Sequence, residues 1–190
     1  MFTVYTDGAC SGNTNKDKSK TKAGYGVYFE TPITVGGKKI SKISGPVDSA
    51  KHMPSNSSGE IMGVLRALDM FRKHVEERDE DEELPTLVLY CDNQYCVNTF
   101  NTWLAGWKAK NETKAQMALW NMVWDHIQYL QKRYGKDYKN KVQVKWVRGH
   151  NGTEGNEIAD KLATSGVHLE KEKRIILKKK ADTLTTKQET

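Results

Sequence analysis

The chain has 190 residues, 37% of them hydrophobic. That is enough for one domain with a single core, and no apolar run approaches the roughly 20 residues that a membrane-spanning helix needs. The formal net charge is +6, but residues 76–83 (EERDEDEE) carry −6, so the remainder carries +12 and suits a polyanionic partner such as nucleic acid.

The start, MFTVYTDGAC, has the composition of neither a secretory signal nor a transit peptide. The three cysteines (Cys10, Cys91, Cys96) match no zinc spacing and read as reduced thiols packed as small hydrophobes. Both features predict an intracellular protein of cytoplasm or nucleus, not secreted and not membrane-bound.

In chain order, FTVYTDG (2–8), GYGVYFE (24–30) and KISKISGPV (39–47) read as three strands at short spacing, the pattern of an antiparallel meander. A polar, Lys-rich loop separates the first two. A helix is predicted over 58–74, with Ile61, Val64, Leu65, Leu68 and Phe71 on one face. After the solvated acidic run, TLVLYCD (86–92) is a near-continuous apolar strand, as a central position requires. A short helical stretch follows through Trp107. A long helix over 114–133 is predicted to start from a capping box at Thr113–Gln116 and to bury Met117, Trp120, Trp124 and Ile127. VQVKWV (142–147) is a fifth strand, and 154–165 a last helix. Three strands followed by alternating helices and strands give an α/β fold, a mixed sheet with helices packed on it. Residues 167–190 lack periodicity and read as a basic tail.

Four carboxylates stand at element ends. Asp7 closes the first strand, Asp92 closes the central one, Glu60 opens the first long helix, and Asp160 lies one turn after Asn156 on the same helix face. Each has an ordinary reading: Asp7 and Asp92 as turn formers, Glu60 as the capping partner of Ser57, Asp160 as an exposed helix acid. Convergence of all four changes the reading. Two carboxylates about 4 Å apart repel by about 4 kcal/mol at an effective dielectric near 20, so such a cluster needs protons or cations. Hard oxygen donors select magnesium or manganese, and two such ions about 4 Å apart suit phosphodiester hydrolysis.

The words TDGACSGN, SNSSGEIMGVLRAL, LYCDNQYCV and WVRGHNGTEGNEIADKLA occur in this order and resemble the type 1 ribonuclease H family over residues 1 to about 166. The resemblance implies a five-stranded mixed sheet, three strands antiparallel and two parallel, with helices on both faces. It implies a catalytic domain over 1–166 with a basic tail over 167–190, acting as a monomer. The implied reaction is endonucleolytic hydrolysis of the RNA strand of an RNA–DNA hybrid, leaving 5′-phosphate and 3′-hydroxyl ends. Two Mg2+ ions, with Mn2+ as a substitute, would be held by Asp7, Glu60, Asp92 and Asp160. His150 maps onto a loop histidine that moves protons and aids product release. The backbone at Cys10 and Gly12 and the side chains of Asn13, Asn56 and Gln94 map onto contacts to the RNA strand, whose 2′-hydroxyls distinguish it from DNA. Tyr95 and Trp107 map onto aromatics along the DNA strand, and Ser55 and Gln116 onto its phosphate pocket. Trp103, Trp120, Trp124 and Trp146 read as core.

Several positions depart from the family's pattern. The loop after Asn13 is long and Lys-rich, Met53 stands where Arg is common, and Gln116 stands where Asn is common. These changes predict weaker discrimination for the DNA strand, or its rebuilding by His52 and added lysines. The basic protrusion is shortened, keeping Lys108, Lys110 and Lys114, and the tail (Lys171, Lys173, Arg174, Lys178, Lys179, Lys180) either adds affinity or only solubilises. Two alternatives stay open: a nuclease or strand-transfer enzyme of the same broad fold acting on DNA, and a non-catalytic hybrid-binding module. The first usually has different acidic spacing and lacks the GH loop word. The second gains nothing from negative charge clustered beside phosphate.

Overall fold

The computed structural model describes residues 1–178 apart from Asn13 and Asn15. Six strands form one sheet: β1 (Phe2–Ser11), β2 (Lys22–Val35), β3 (Lys38–Pro46), β4 (Leu87–Cys91), β5 (Val142–Trp146) and β6 (Lys173–Leu177), in the spatial order β5-β4-β1-β2-β3-β6. The meander β1–β2–β3 is antiparallel, as its short connections require, whereas β4 pairs with β1 and β5 in parallel. The helices are α1 (Asn56–Glu76), α2 (Gln94–Asn98), α3 (Leu104–Ala109), α4 (Met117–Tyr134), α5 (Tyr138–Lys141) and α6 (Glu154–Gly166). Among the described residues no helix is long and apolar enough to cross a membrane.

Helix α1 lies across β1 and β2 with α4 against it, and α6 crosses the other face over β1, β2 and β3. Two glycines allow the close approach. A β-carbon at Gly8 would collide with the backbone of Gly59 and Glu60, and one at Gly26 with that of Ala159 and Ala163. These contacts hold the first turn of α1 and the middle of α6 directly on the sheet beside Asp7. The predicted α1 stripe is buried as expected: Ile61, Val64, Leu65, Leu68 and Phe71 all lie in the core with Trp120, Phe29 and Met70.

Three expectations need correction. The helix predicted from 114 begins at Met117, without the Thr113–Gln116 capping box; Gln116 adopts a left-handed φ of 58° and makes no side-chain cap. Trp103 and Trp146 are not core residues, being 41% and 47% exposed, although Trp120 is fully buried and Trp124 packs against the core. The sheet has six strands, not five, because part of the predicted tail forms β6, antiparallel to β3. Periodicity missed β6 because all five of its residues are exposed, including Ile175, Ile176 and Leu177, so no inward-facing alternation marks it. Lys179 and Lys180 lie outside the described residues.

A polar clamp fastens β6. The Glu172 carboxylate accepts from Arg66 Nε at 2.7 Å, Tyr25 Oη at 2.6 Å and Arg174 Nε at 2.6 Å. Burial pushes Glu172 up, but the Arg66 guanidinium and the Tyr25 hydroxyl outweigh it and hold the carboxyl at about 2. Glu172→Ala therefore destabilises the fold by about 2 kcal/mol in urea denaturation at neutral pH, a value reduced from the fully buried case for residual exposure. The wild-type advantage is complete above the ordinary carboxyl range and disappears as pH falls towards 2.

Candidate active site

Strands β1 and β4 run parallel with Thr6 opposite Cys91, so the next residue on each, Asp7 and Asp92, stand side by side where their pairing stops. Contrary to expectation, Asp7 does not close β1 but lies within it opposite Gly26, and β1 runs on to Ser11. Glu60 arrives from α1. That helix starts at Asn56 with a capping box between Ser55 and Ser58, not between Ser57 and Glu60, which leaves the Glu60 carboxylate available to the sheet. Ligand oxygens of Asp7, Glu60 and Asp92 lie within 4.8 Å of one another. Asp160, half-buried on α6, is outside that tight group but near enough for its charge to act on Asp7.

The electrostatics are those of a site short of positive charge. Burial, then the Asp92 charge, push the Asp7 carboxyl up to about 7, against the opposing hydrogen bond from Gly8 N at 2.7 Å. Glu60 is likewise pushed up, first by burial and then by its neighbours Cys91 (Sγ 3.7 Å from Oε2), Asp7 and Asp92. Both carboxyls are thus held above the ordinary carboxylate range, a strain that a bound cation relieves. Hard oxygen donors, like-charged and buried, are a donor set suited to a hard divalent cation.

Neighbouring groups hold the carboxylates. Asn156, buried in α6, donates Nδ2 to Asp92 Oδ2 at 3.3 Å, and the indole Nε1 of Trp146 donates to the Asp92 carbonyl at 3.0 Å. The turn after β5 passes so close that a β-carbon at Gly149 would lie 2.6 Å from Asp92 Oδ2. The next residue, His150, is exposed at the lip of the site with φ of 52°. Of the three non-glycine residues in the left-handed region among those described, two, His150 and Gln116, are expected site residues. Such backbone is retained where surrounding structure imposes it, often at functional positions.

The expected substrate residues border the carboxylates. Cys10 and Gly12 follow Asp7 at the end of β1, Ser55 and Asn56 precede Glu60 at the start of α1, and Gln94 and Tyr95 follow Asp92 at the start of α2. Gln116 reaches across to Ser55 Oγ at 3.3 Å and the Met53 carbonyl at 3.1 Å, tying the start of α4 to the start of α1. Asn13 lies outside the described residues. Trp107 is half-buried, with the Lys114 ammonium 5.7 Å above its ring. The missed member is Trp103. Its ring lies 5.8 Å from Tyr95 and 6.4 Å from Trp107, giving an exposed aromatic patch. A π-helical turn over Thr99–Trp103 shifts the phase between α2 and α3, which a strict 3.6-residue count cannot follow.

The sequence comparison agrees with this geometry. The family model described as RNase H matches residues 1–168. The chain belongs to the RNase H family. Ribonuclease H of Janthinobacterium sp. (strain Marseille) is 30% identical over 168 residues, spanning 87% of this chain and 95% of the relative. That of Polaromonas naphthalenivorans (strain CJ2) is 31% identical over 166 residues, spanning 86% and 85%. Among solved structures, LC9-RNase H1, a type 1 RNase H with the type 2 active-site motif, aligns with a TM-score of 0.58 and 21% identity, covering 87% of this chain and 71% of that one. A foamy viral protease-reverse transcriptase in complex with RNA/DNA hybrid aligns at 0.60 and 18%, covering 88% and 20%. These two likenesses show the RNase H fold. Membership makes the chain a metal-dependent nuclease, and the acidic group of Asp7, Glu60 and Asp92 could hold a metal ion.

Proposed function

We propose that this RNase H cuts the RNA strand of RNA–DNA hybrids endonucleolytically, leaving 5′-phosphate and 3′-hydroxyl ends. The observation that carries the reading is the convergence of Asp7, Glu60 and Asp92 from three separate elements into one buried acidic group. Asp7, Glu60, Asp92 and Asp160 would hold two Mg2+ ions, or Mn2+ in their place. The chemistry these residues would gain from bound ions is charge neutralisation at the phosphate and leaving oxygen and activation of a water.

The chain's own groups do the rest. Asn156 and Trp146 fix Asp92. His150, exposed at the lip of the site and open to solvent, moves protons and aids product release. The backbone at Cys10 and Gly12 with Asn56 and Gln94 reads the RNA strand, Asn13 being assigned by resemblance alone. Tyr95, Trp103 and Trp107 line the DNA strand, and Ser55 with Gln116 takes its phosphate. The catalytic unit is residues 1–166, working as an intracellular monomer, with β6 and the residues beyond it as a basic extension.

The test is a hybrid labelled on either strand, incubated with Mg2+, Mn2+ or chelator. Internal cuts confined to RNA and dependent on metal are expected. Cutting of the DNA strand points to a DNA nuclease of the same fold, and metal-independent binding without turnover to a binding module; either result overturns the proposal.

A further inference from the structure

Strands β4 and β5 pair in parallel up to Cys91 opposite Trp146, and the ladder closes with Val147 N donating to the Cys91 carbonyl at 3.1 Å. The next carbonyl along, that of Asp92, lies beyond the ladder. It accepts instead from a side chain, the indole Nε1 of Trp146, at 3.0 Å. One residue further, Asn93 Oδ1 accepts from Cys96 N at 3.0 Å and caps α2. The corner that carries Asp92 is therefore pinned on both sides, with Trp146 supplying the pin next to the carboxylate.

Packing alone is a poor account of this tryptophan. It is 47% exposed, on the edge strand of the sheet, whereas the core tryptophan of this chain, Trp120, is fully buried. The buried half of the indole contributes packing, but packing does not dictate where its one directional group, the N–H, points. The bond from that N–H fixes the peptide plane after Asp92. With the 3.3 Å bond from Asn156 to Oδ2, it sets where the carboxylate points relative to Asp7 and Glu60. Groups that orient a ligand in this way commonly change metal affinity or activity by about 10- to 100-fold when removed.

We propose that Trp146 is a positioning residue: its indole N–H, bonded to the Asp92 carbonyl, holds the Asp92 carboxylate in its cation-binding orientation. This rests on the reading of Asp92 as a metal ligand. Loss of the N–H lowers divalent-ion affinity and slows turnover at limiting metal, and leaves hybrid binding unchanged.

The test is calorimetric titration of Mn2+ into the wild-type chain, Trp146→Phe and Trp146→His without nucleic acid, with kcat and KM measured for each across Mg2+ concentrations. Trp146→Phe keeps an aromatic ring and removes the donor; Trp146→His keeps a ring N–H. Roughly tenfold weaker Mn2+ binding by Trp146→Phe is expected. Its kcat falls at limiting Mg2+ with KM for the hybrid unchanged, and Trp146→His recovers part of both losses. Wild-type Mn2+ affinity in Trp146→Phe, even alongside a lowered melting temperature, would overturn the inference and leave Trp146 as packing. If Trp146→Phe does not fold, Trp146→His decides: weaker Mn2+ binding than Trp146→Ala, or equal to it, overturns the donor role. Absence of Mn2+ binding by the wild type would remove the metal reading itself, and this role with it.

Discussion

Asp92→Asn lowers kcat on a hybrid substrate by at least about a thousandfold, equivalent to about 4 kcal/mol of transition-state stabilisation, with hybrid affinity retained. The substitution is nearly isosteric, so the corner between β4 and α2 keeps the bond from Trp146 to the residue-92 carbonyl and the cap at Asn93. What it removes is one of the oxygen charges in the group with Asp7 and Glu60, and with it correct placement of the ions. Hybrid binding relies on contacts to phosphates and 2′-hydroxyls outside that group, and loss of a negative charge beside phosphate does not weaken them. Single-turnover cleavage together with a binding titration in Ca2+ or chelator separates the two quantities. Parallel loss of cleavage and binding would assign Asp92 to substrate recognition instead.

The acidic group also sets how stability responds to pH and metal. In the folded chain the Asp7 carboxyl titrates at about 7, raised by burial and by Asp92 from its ordinary 3.8. Between those values the folded protein keeps a proton that the unfolded chain has released. Its contribution to stability is therefore full at about pH 4 and declines as pH rises to about 7, by at most about 4 kcal/mol. Asp7→Asn, which has no charge to bury, is expected to be the more stable protein at pH 7.5 in chelator and to lose that advantage at pH 4.5. Added Mg2+ narrows the gap by stabilising the wild type alone. Urea denaturation of both proteins at the two pH values, with and without Mg2+, reads all of this. A wild type more stable than Asp7→Asn at pH 7.5 in chelator would show that the carboxylates are not held against their repulsion.

Much of the site is legible in the amino-acid sequence, although β1 runs on past Asp7 to Ser11. Asp7 and Asp92 each follow a β-rich run, and parallel pairing of two such runs brings their last residues together. Glu60 is harder, since a Ser three residues earlier invites a capping role. Only the structure shows that Ser55 and Ser58 cap one another and leave Glu60 to the sheet. Tryptophans mislead because size suggests burial. Trp146 earns its place through one hydrogen bond, and Trp103 through a π-helical turn that alters the phase of its helix. Strand β6 leaves no periodic trace, since its attachment comes from backbone pairing and from a clamp on Glu172 that begins with Arg66, more than a hundred residues earlier. The amino-acid sequence offers Gln116 both a capping role and a phosphate-pocket role; its left-handed backbone rules out the first, and its bond to Ser55 is compatible with the second.

The most direct check is crystallographic. Crystals grown with Mn2+ and measured for its anomalous scattering are expected to show density bounded by Asp7, Glu60 and Asp92, reaching towards Asp160, and to lose it in Asp92→Asn. An active preparation whose ordered Mn2+ lies elsewhere, with those three side chains unengaged, would contradict the account.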